Sequence, residues 1–324
     1  MATVRQAAPR LLQRVQQCHS KFELIYAPHP TWPLPHPKFV QPDNTPRPLR
    51  ISVLDSSFNP PTLAHLALAN SRRSQSLTTD GHAPKATQLF YDAKLLLLSV
   101  KNADKTLKPG DATYQQRLEM MDLLASDVQA DADQSASLST STSDALSPVE
   151  RANVAIAIID EPTFVGKSAT LLTFLRRRLS TLNPPLKTLG DIELTFIVGL
   201  DTLERLFSPR YYPSETAMMT SLRKFFSPGP DGDNSRIISA QRIMRPPFSS
   251  QAQESDPLSL AKEFIDSGRI AIIDLGDQIS TYSSTTVRRS RNSVGSGQDS
   301  LWRKLVTKPV AEYIVEQHLY QDGL

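Results

Sequence analysis

The run Ser57-Phe-Asn-Pro-Pro-Thr-Leu-Ala-His65 brings together residue types that suit a phosphate. An apolar strand from Ile51 to Leu54 leads into a small polar turn, and Asn59-Pro60-Pro61 ends it. Thr62 then opens a helix predicted to run to about Ser74, with His65 in its first turn. Unpaired N–H groups and the positive dipole end of a helix point at whatever fills such a turn, and an imidazole adds a further donor. The chemistry indicated is nucleotide handling.

The elements needed to position this turn can be read along the chain. Lys94–Val100, Val154–Ile159, Leu194–Val198, Ile237–Met244 and Ile270–Leu275 are short apolar runs that read as buried strands. Between them lie helical stretches at Ala112–Leu124, Ser168–Leu179, Asp201–Phe207 and Ser283–Arg289, and Lys308–Tyr320 closes the chain. Leu118, Met121 and Leu124 would face inward. Apolar strands alternating with helices predict an α/β fold with a doubly wound parallel sheet, Rossmann-like, carrying irregular insertions. Ligands of such sheets sit beyond the carboxyl ends of the strands, which is where the 55–61 turn falls.

Two segments stand outside this pattern. Residues 1–49 form an N-terminal unit of a helix followed by a proline-rich strap from His29 to Pro48, and residues 50–324 form the main domain. Arg5, Arg10, Arg14 and Lys21 precede any acid, which fits a mitochondrial presequence. An amphipathic structural helix fits as well, with Val4, Leu11, Leu12, Val15 and Phe22 on one face. Residues 126–150 are rich in Ser, Thr, Asp and Ala and almost free of large apolar groups. Burial there does not offset ordering entropy, so a disordered insertion is expected.

The chain has 324 residues, 25 of them proline, a hydrophobic fraction of 39% and a net charge of +3. That charge is too small to argue for nucleic acid or a membrane surface. Cys18 is the lone cysteine, which excludes an internal disulfide and a cysteine-based metal cluster and points to a reducing compartment. The expectation is a cytoplasmic protein, with nucleus and mitochondrion as alternatives, and a homo-oligomer is not excluded. His19, His29, His36, His82 and His318 show no metal-ligand spacing. Gly166-Lys167-Ser168 ends like a phosphate-binding loop, but the glycine required five residues earlier is Glu161, whose carboxylate would repel phosphates.

Ser57-Phe-Asn-Pro-Pro-Thr-Leu-Ala-His65 resembles the first signature of the nucleotidyltransferases, and in particular GSFNPxTxxH of the nicotinamide mononucleotide adenylyltransferases. Tyr282-Ser-Ser-Thr-Thr-Val-Arg288 is similar to that family's second signature, ISSTxxR. The ending Val310–Tyr320 looks like its terminal helix, so the resemblance spans about Ile51 to Tyr320. The N-terminal helix and strap resemble additions in fungal relatives. Alone, Ser283-Ser284-Thr285 ahead of Arg288 would be a helix cap with a surface cation.

The resemblance implies joining of ATP to nicotinamide or nicotinate mononucleotide, giving NAD or its deamido form and pyrophosphate. The attacking phosphate is already ionised at neutral pH, so catalysis rests on positioning and charge neutralisation, with no general base. His65 and Arg288 would be catalytic, the latter through its planar fork. Ser57, Phe58, Thr62, His65, Gly199, Asp201, Ser283, Ser284, Thr285 and Arg288 would bind ATP. Asp201 would contact the adenosine ribose, or serve only as a helix cap. Lys105, Lys101, Arg117 and Phe164 would bind the mononucleotide, Phe164 by stacking on the pyridine ring unless it is simply core. Mg²⁺ would arrive with ATP rather than in a protein cage.

The chain departs from the pattern at Ser56, where the family has the opening glycine, at Ala64, and at Thr286, where many relatives carry lysine. These departures keep two alternatives open. One is an adenylyltransferase using another phosphate ester, such as phosphopantetheine. The other is a non-catalytic ATP-binding regulatory protein.

Overall fold

The computed structural model describes residues 2–35, 47–73, 90–100, 109–128, 152–182, 189–229, 231–241, 257–292 and 301–321. Seven strands form one sheet: β1 (Phe22–Tyr26), β2 (Arg47–Ser56), β3 (Ala93–Ser99), β4 (Val154–Ile159), β5 (Leu189–Gly199), β6 (Ser235–Gln241) and β7 (Ile270–Asp274). Their order is β1-β4-β3-β2-β5-β6-β7; β1 is antiparallel to β4, and every other pairing is parallel. The six parallel strands therefore run 3-2-1-4-5-6, the doubly wound dinucleotide order. The chain reverses direction across the sheet between β2 and β5. Their carboxyl ends, Ser56 and Gly199, flank the crevice there.

The described helices are α1 (Ala2–Gln16), α2 (Leu63–Ala69), α3 (Tyr114–Asp127), α4 (Phe164–Ser180), α5 (Leu200–Leu206), α6 (Glu215–Phe226), α7 (Pro257–Asp266), α8 (Asp277–Ser280), α9 (Ser284–Asn292) and α10 (Lys308–Glu316). Alternation along the strands divides the core into two layers. Leu95 and Leu97 pack with α4, α5, α6 and α7 on one face, while Leu96 and Leu98 pack with α1 and α3 on the other. Burial on both faces is what makes β3 and β4 read as unbroken apolar runs. A third cluster, centred on Trp302, Val310, Tyr313 and Ile314, fastens α10 against Met120 of α3.

Several expected boundaries move. The first core strand begins at Arg47, inside the expected strap, where the Arg47 guanidinium binds both Asp92 oxygens at 2.8 and 2.6 Å. Phe22 belongs to β1, not to the N-terminal helix, and packs in the opposite core layer from Val4 and Val15. The helix after Thr62 is only seven residues long. α3 runs through Ser126 and Asp127, so the expected insertion starts inside a helix, and its remainder from 129 lies outside the described residues. Sequence periodicity did not mark β1, α6 or α7. The strap's first residues are anchored: Trp32 is fully buried, and its indole N–H donates to the Asn153 carbonyl at 3.3 Å.

Candidate active site

A cavity of about 910 Å³ opens at the carboxyl ends of the strands. Asp55 and Ser56 of β2, Ser99 of β3, Gly199 of β5 and Ala240 of β6 form its floor, while His65, Arg117, Lys167, Asp201 and Arg288 reach it from helices. The strand order fixes this location, because crossover helices leave the carboxyl ends uncovered at the reversal.

His65 is oriented by its own helix start. The Thr62 N–H donates to His65 Nδ1 at 3.0 Å, and Thr62 Oγ1 lies 2.9 Å from the same nitrogen. Nε2 lies 2.9 Å from Ser56 Oγ. The Phe58 ring stands 5.4 Å from the imidazole, and Phe58 has a left-handed φ of 45°. Phe58 and Thr62 are both fully buried and absent from the cavity lining. Thr62 orients His65 through the helix start, and the Phe58 ring packs beside the imidazole. Ser57 does line the cavity.

The two distant motifs meet. Ser284 Oγ donates to the Pro60 carbonyl at 2.7 Å, and the Arg288 guanidinium donates to the Asn59 carbonyl. Ser283 caps α9 by accepting the Thr286 N–H at 3.1 Å, with the Thr286 hydroxyl 2.8 Å from its own. Thr285 is exposed, lines the cavity, and accepts a long 3.4 Å contact from Arg288. Asn59 is buried at the junction. Its Nδ2 donates to Asp111 at 2.7 Å, and its Oδ1 accepts from the Ala112 N–H at 3.2 Å and the Tyr320 hydroxyl at 2.9 Å. Burial pushes the Tyr320 phenol far above its ordinary value, so it stays a donor.

Arg117 donates to the Ala112 carbonyl at 2.9 Å and the Ser57 carbonyl at 3.3 Å, bracing the same turn. Burial lowers its guanidinium pKa while Asp111 opposes that shift; arginine remains cationic in proteins. Asp201 is exposed on α5, and Gly199 is the cap of that helix. A Cβ placed on Gly199 would meet nothing within 4 Å, so the bare backbone faces open cavity. Phe164 is half-buried, packs edge-on to Phe196 at 5.6 Å, and also lines the cavity. Lys101 and Lys105 lie outside the described residues.

Sequence reasoning passed over three residues here. Lys167, set aside with the phosphate-loop decoy, is 6% exposed and bonded to Asp55, with its ammonium 4.7 Å from the centre of the Phe164 ring. Asp55 also accepts from the Ser99 hydroxyl at 3.0 Å. The Glu161 carboxylate accepts the Thr163 N–H at 3.3 Å at the start of α4, so an acid occupies the place a phosphate would need. Asp111 and Tyr320 likewise gave no signal, since only the fold carries them to Asn59.

No family model matches the chain. Over 177 residues it is 32% identical to a Schizosaccharomyces pombe protein named "Putative nicotinamide mononucleotide adenylyltransferase". The two chains are related over that stretch. It amounts to 55% of this chain and 49% of that protein, so the chain matches about half the length of its relative. Among solved structures, the chain is similar to Plasmodium falciparum nicotinic acid mononucleotide adenylyltransferase complexed with NaAD, at a TM-score of 0.43 and 14% identity over 84% of this chain and 97% of that one. The same enzyme complexed with APC gives 0.42 and 12%, over 84% and 96%.

Among the described residues, no group of three or more His, Cys, Asp and Glu side chains is placed to hold a metal ion. No helix among them is long and apolar enough to cross a membrane.

Proposed function

We propose that this chain is an adenylyltransferase that joins ATP to nicotinamide mononucleotide or its nicotinate counterpart, releasing pyrophosphate. The observation that carries the reading is the junction of the two motifs. Ser284 and Arg288 bond to the backbone of Pro60 and Asn59, 224 and 229 residues away, beside the cavity that His65 lines. The related S. pombe protein bears the corresponding name.

In this reading a mononucleotide phosphate oxygen attacks the α-phosphorus of ATP. The bond to the bridging oxygen of the β-phosphate breaks, and pyrophosphate leaves with that electron pair. Arg288, Arg117 and the His65–Ser56 pair supply cations and donors along the phosphates, and none of them must accept a proton. Preorganised donors of this kind are each worth about 10²–10³ in rate. The bare backbone of Gly199 admits the adenosine, with Asp201 at the ribose, and Phe164 offers a face to the pyridine ring. Lys101 and Lys105 remain proposed contacts for the mononucleotide phosphate.

Magnesium would supply charge neutralisation on the triphosphate. Of the three carboxylates lining the cavity, Asp55 is bonded to Lys167 and Asp111 to Asn59, and among the described residues Asp201 joins no group placed to hold a metal ion. The ion would be held by the phosphates of ATP.

The test is NAD formation from ATP, Mg²⁺ and nicotinamide mononucleotide, with His65→Ala and Arg288→Ala alongside. Wild type is expected to turn over, and each variant to lose about 10²-fold or more in kcat while keeping its fold. Absence of product with both mononucleotides, despite ATP binding, would reject the reading.

A further inference from the structure

We propose that the Ser56 hydroxyl is the donor this site presents to a phosphate oxygen, and that His65 acts behind it as a positioning residue. The inference rests on reading the cavity as a phosphate site, and the directions of three protons carry it. The Thr62 backbone N–H can only donate, and it points at His65 Nδ1 from 3.0 Å. That nitrogen is therefore an acceptor, and a neutral imidazole with one accepting nitrogen carries its proton on the other. His65 is the Nε2–H tautomer.

Nε2 lies 2.9 Å from Ser56 Oγ, so the hydroxyl accepts there. Its own proton must point elsewhere. Among the described residues no acceptor receives it, and Ser56 lines the cavity. The relay thus runs from the Thr62 N–H to His65, from His65 to Ser56, and from Ser56 into the cavity. Each step polarises the next toward an acceptor, and an anionic oxygen is the strongest acceptor available. Arg117 and Arg288 line the same cavity, which makes phosphate the class of ligand. The imidazole cannot easily swing to meet the anion directly, because Thr62 holds Nδ1 and the buried Phe58 ring lies 5.4 Å away.

Calorimetric titration of the full chain with MgATP, and separately with inorganic pyrophosphate, tests this on Ser56→Ala, Ser56→Gly and Ser56→Thr. Loss of the hydroxyl in the first two is expected to weaken both ligands about tenfold, about 1.4 kcal/mol, while Ser56→Thr stays near wild type. Nitrogen-15 NMR of the imidazole should report the Nε2–H tautomer in the unliganded wild type. Binding by Ser56→Ala as tight as wild type, or tighter, would overturn the proposal, because the hydroxyl would then only cover a donor that His65 offers itself. An Nδ1–H tautomer would overturn it too. Failure of wild type to bind either ligand would remove the phosphate reading and this proposal together, whereas equal binding by wild type and Ser56→Ala removes this proposal alone.

Discussion

The Lys167 ammonium and the Asp55 carboxylate are each 6% exposed, and neither can be withdrawn alone at low cost. Breaking a buried pair by removing one partner typically costs about 3–5 kcal/mol, because the other charge is left uncompensated. Lys167→Met is expected to lose that much in urea unfolding, and adding Asp55→Leu should recover most of it. A single variant within about 1 kcal/mol of wild type would mean that Asp55 finds another partner. Resemblance to family motifs singled out His65, Ser284, Arg288 and Asp201, and all four line the cavity. Lys167 was hidden because its sequence neighbours suggest a phosphate loop, and only the crossing of α4 over β2 gives it a carboxylate. Ser56 read as a lost glycine, since its bond to His65 depends on a turn geometry that no local pattern encodes.

At the scale of elements, α1 settles onto α3 and the sheet rather than standing apart. Val4, Ala8 and Val15 are fully buried. Arg5 bonds to Glu119 of α3 at 2.9 Å, and Tyr313 of α10 donates to the same carboxylate at 3.0 Å. A fully buried valine contributes about 1.5–3 kcal/mol, so removal of residues 2–16 should cost about 4 kcal/mol or more. At roughly 2–4 °C per kcal/mol for a larger domain, the melting temperature would fall by on the order of 10 °C, read by circular dichroism. An unchanged melt would show that the helix is dispensable to the fold. The amphipathic pattern of α1 was visible in the chain, but not the partners its apolar face finds on α3 and the sheet. β1 escaped notice because five residues with one charge give too short a period. It is ordered by pairing antiparallel with β4, a partner more than a hundred residues away.

Across the whole molecule, the cavity depends on the two ends of the main domain being brought together. Alternating apolar strands made the doubly wound sheet readable, and the reversal between its first and fourth parallel strands follows from the fold class. The latch that closes the turn does not follow, because Asp111 and Tyr320 are unremarkable in their own neighbourhoods and nothing beside Asn59 marks them as partners of its amide. The Tyr320 hydroxyl reaches Asn59 Oδ1, which also holds the Ala112 N–H, while Nδ2 of the same amide holds Asp111. Tyr320→Phe removes one donor but leaves the amide oxygen its backbone partner. The stability cost should therefore be small, about 1 kcal/mol. The Asn59 carbonyl, however, is an anchor for Arg288, so a looser amide misplaces the guanidinium. Misplacement of a positioning group by about 1 Å can cost up to 10²-fold in rate. Tyr320→Phe is accordingly expected to lower kcat by about tenfold in the adenylyl-transfer assay while shifting the melt little. Tyr313→Phe is the control: it removes a buried hydroxyl from the same C-terminal segment, but one directed at Glu119, away from the turn. Equal effects of the two variants on kcat would mean that the C-terminal segment acts through general stability and not through Asn59.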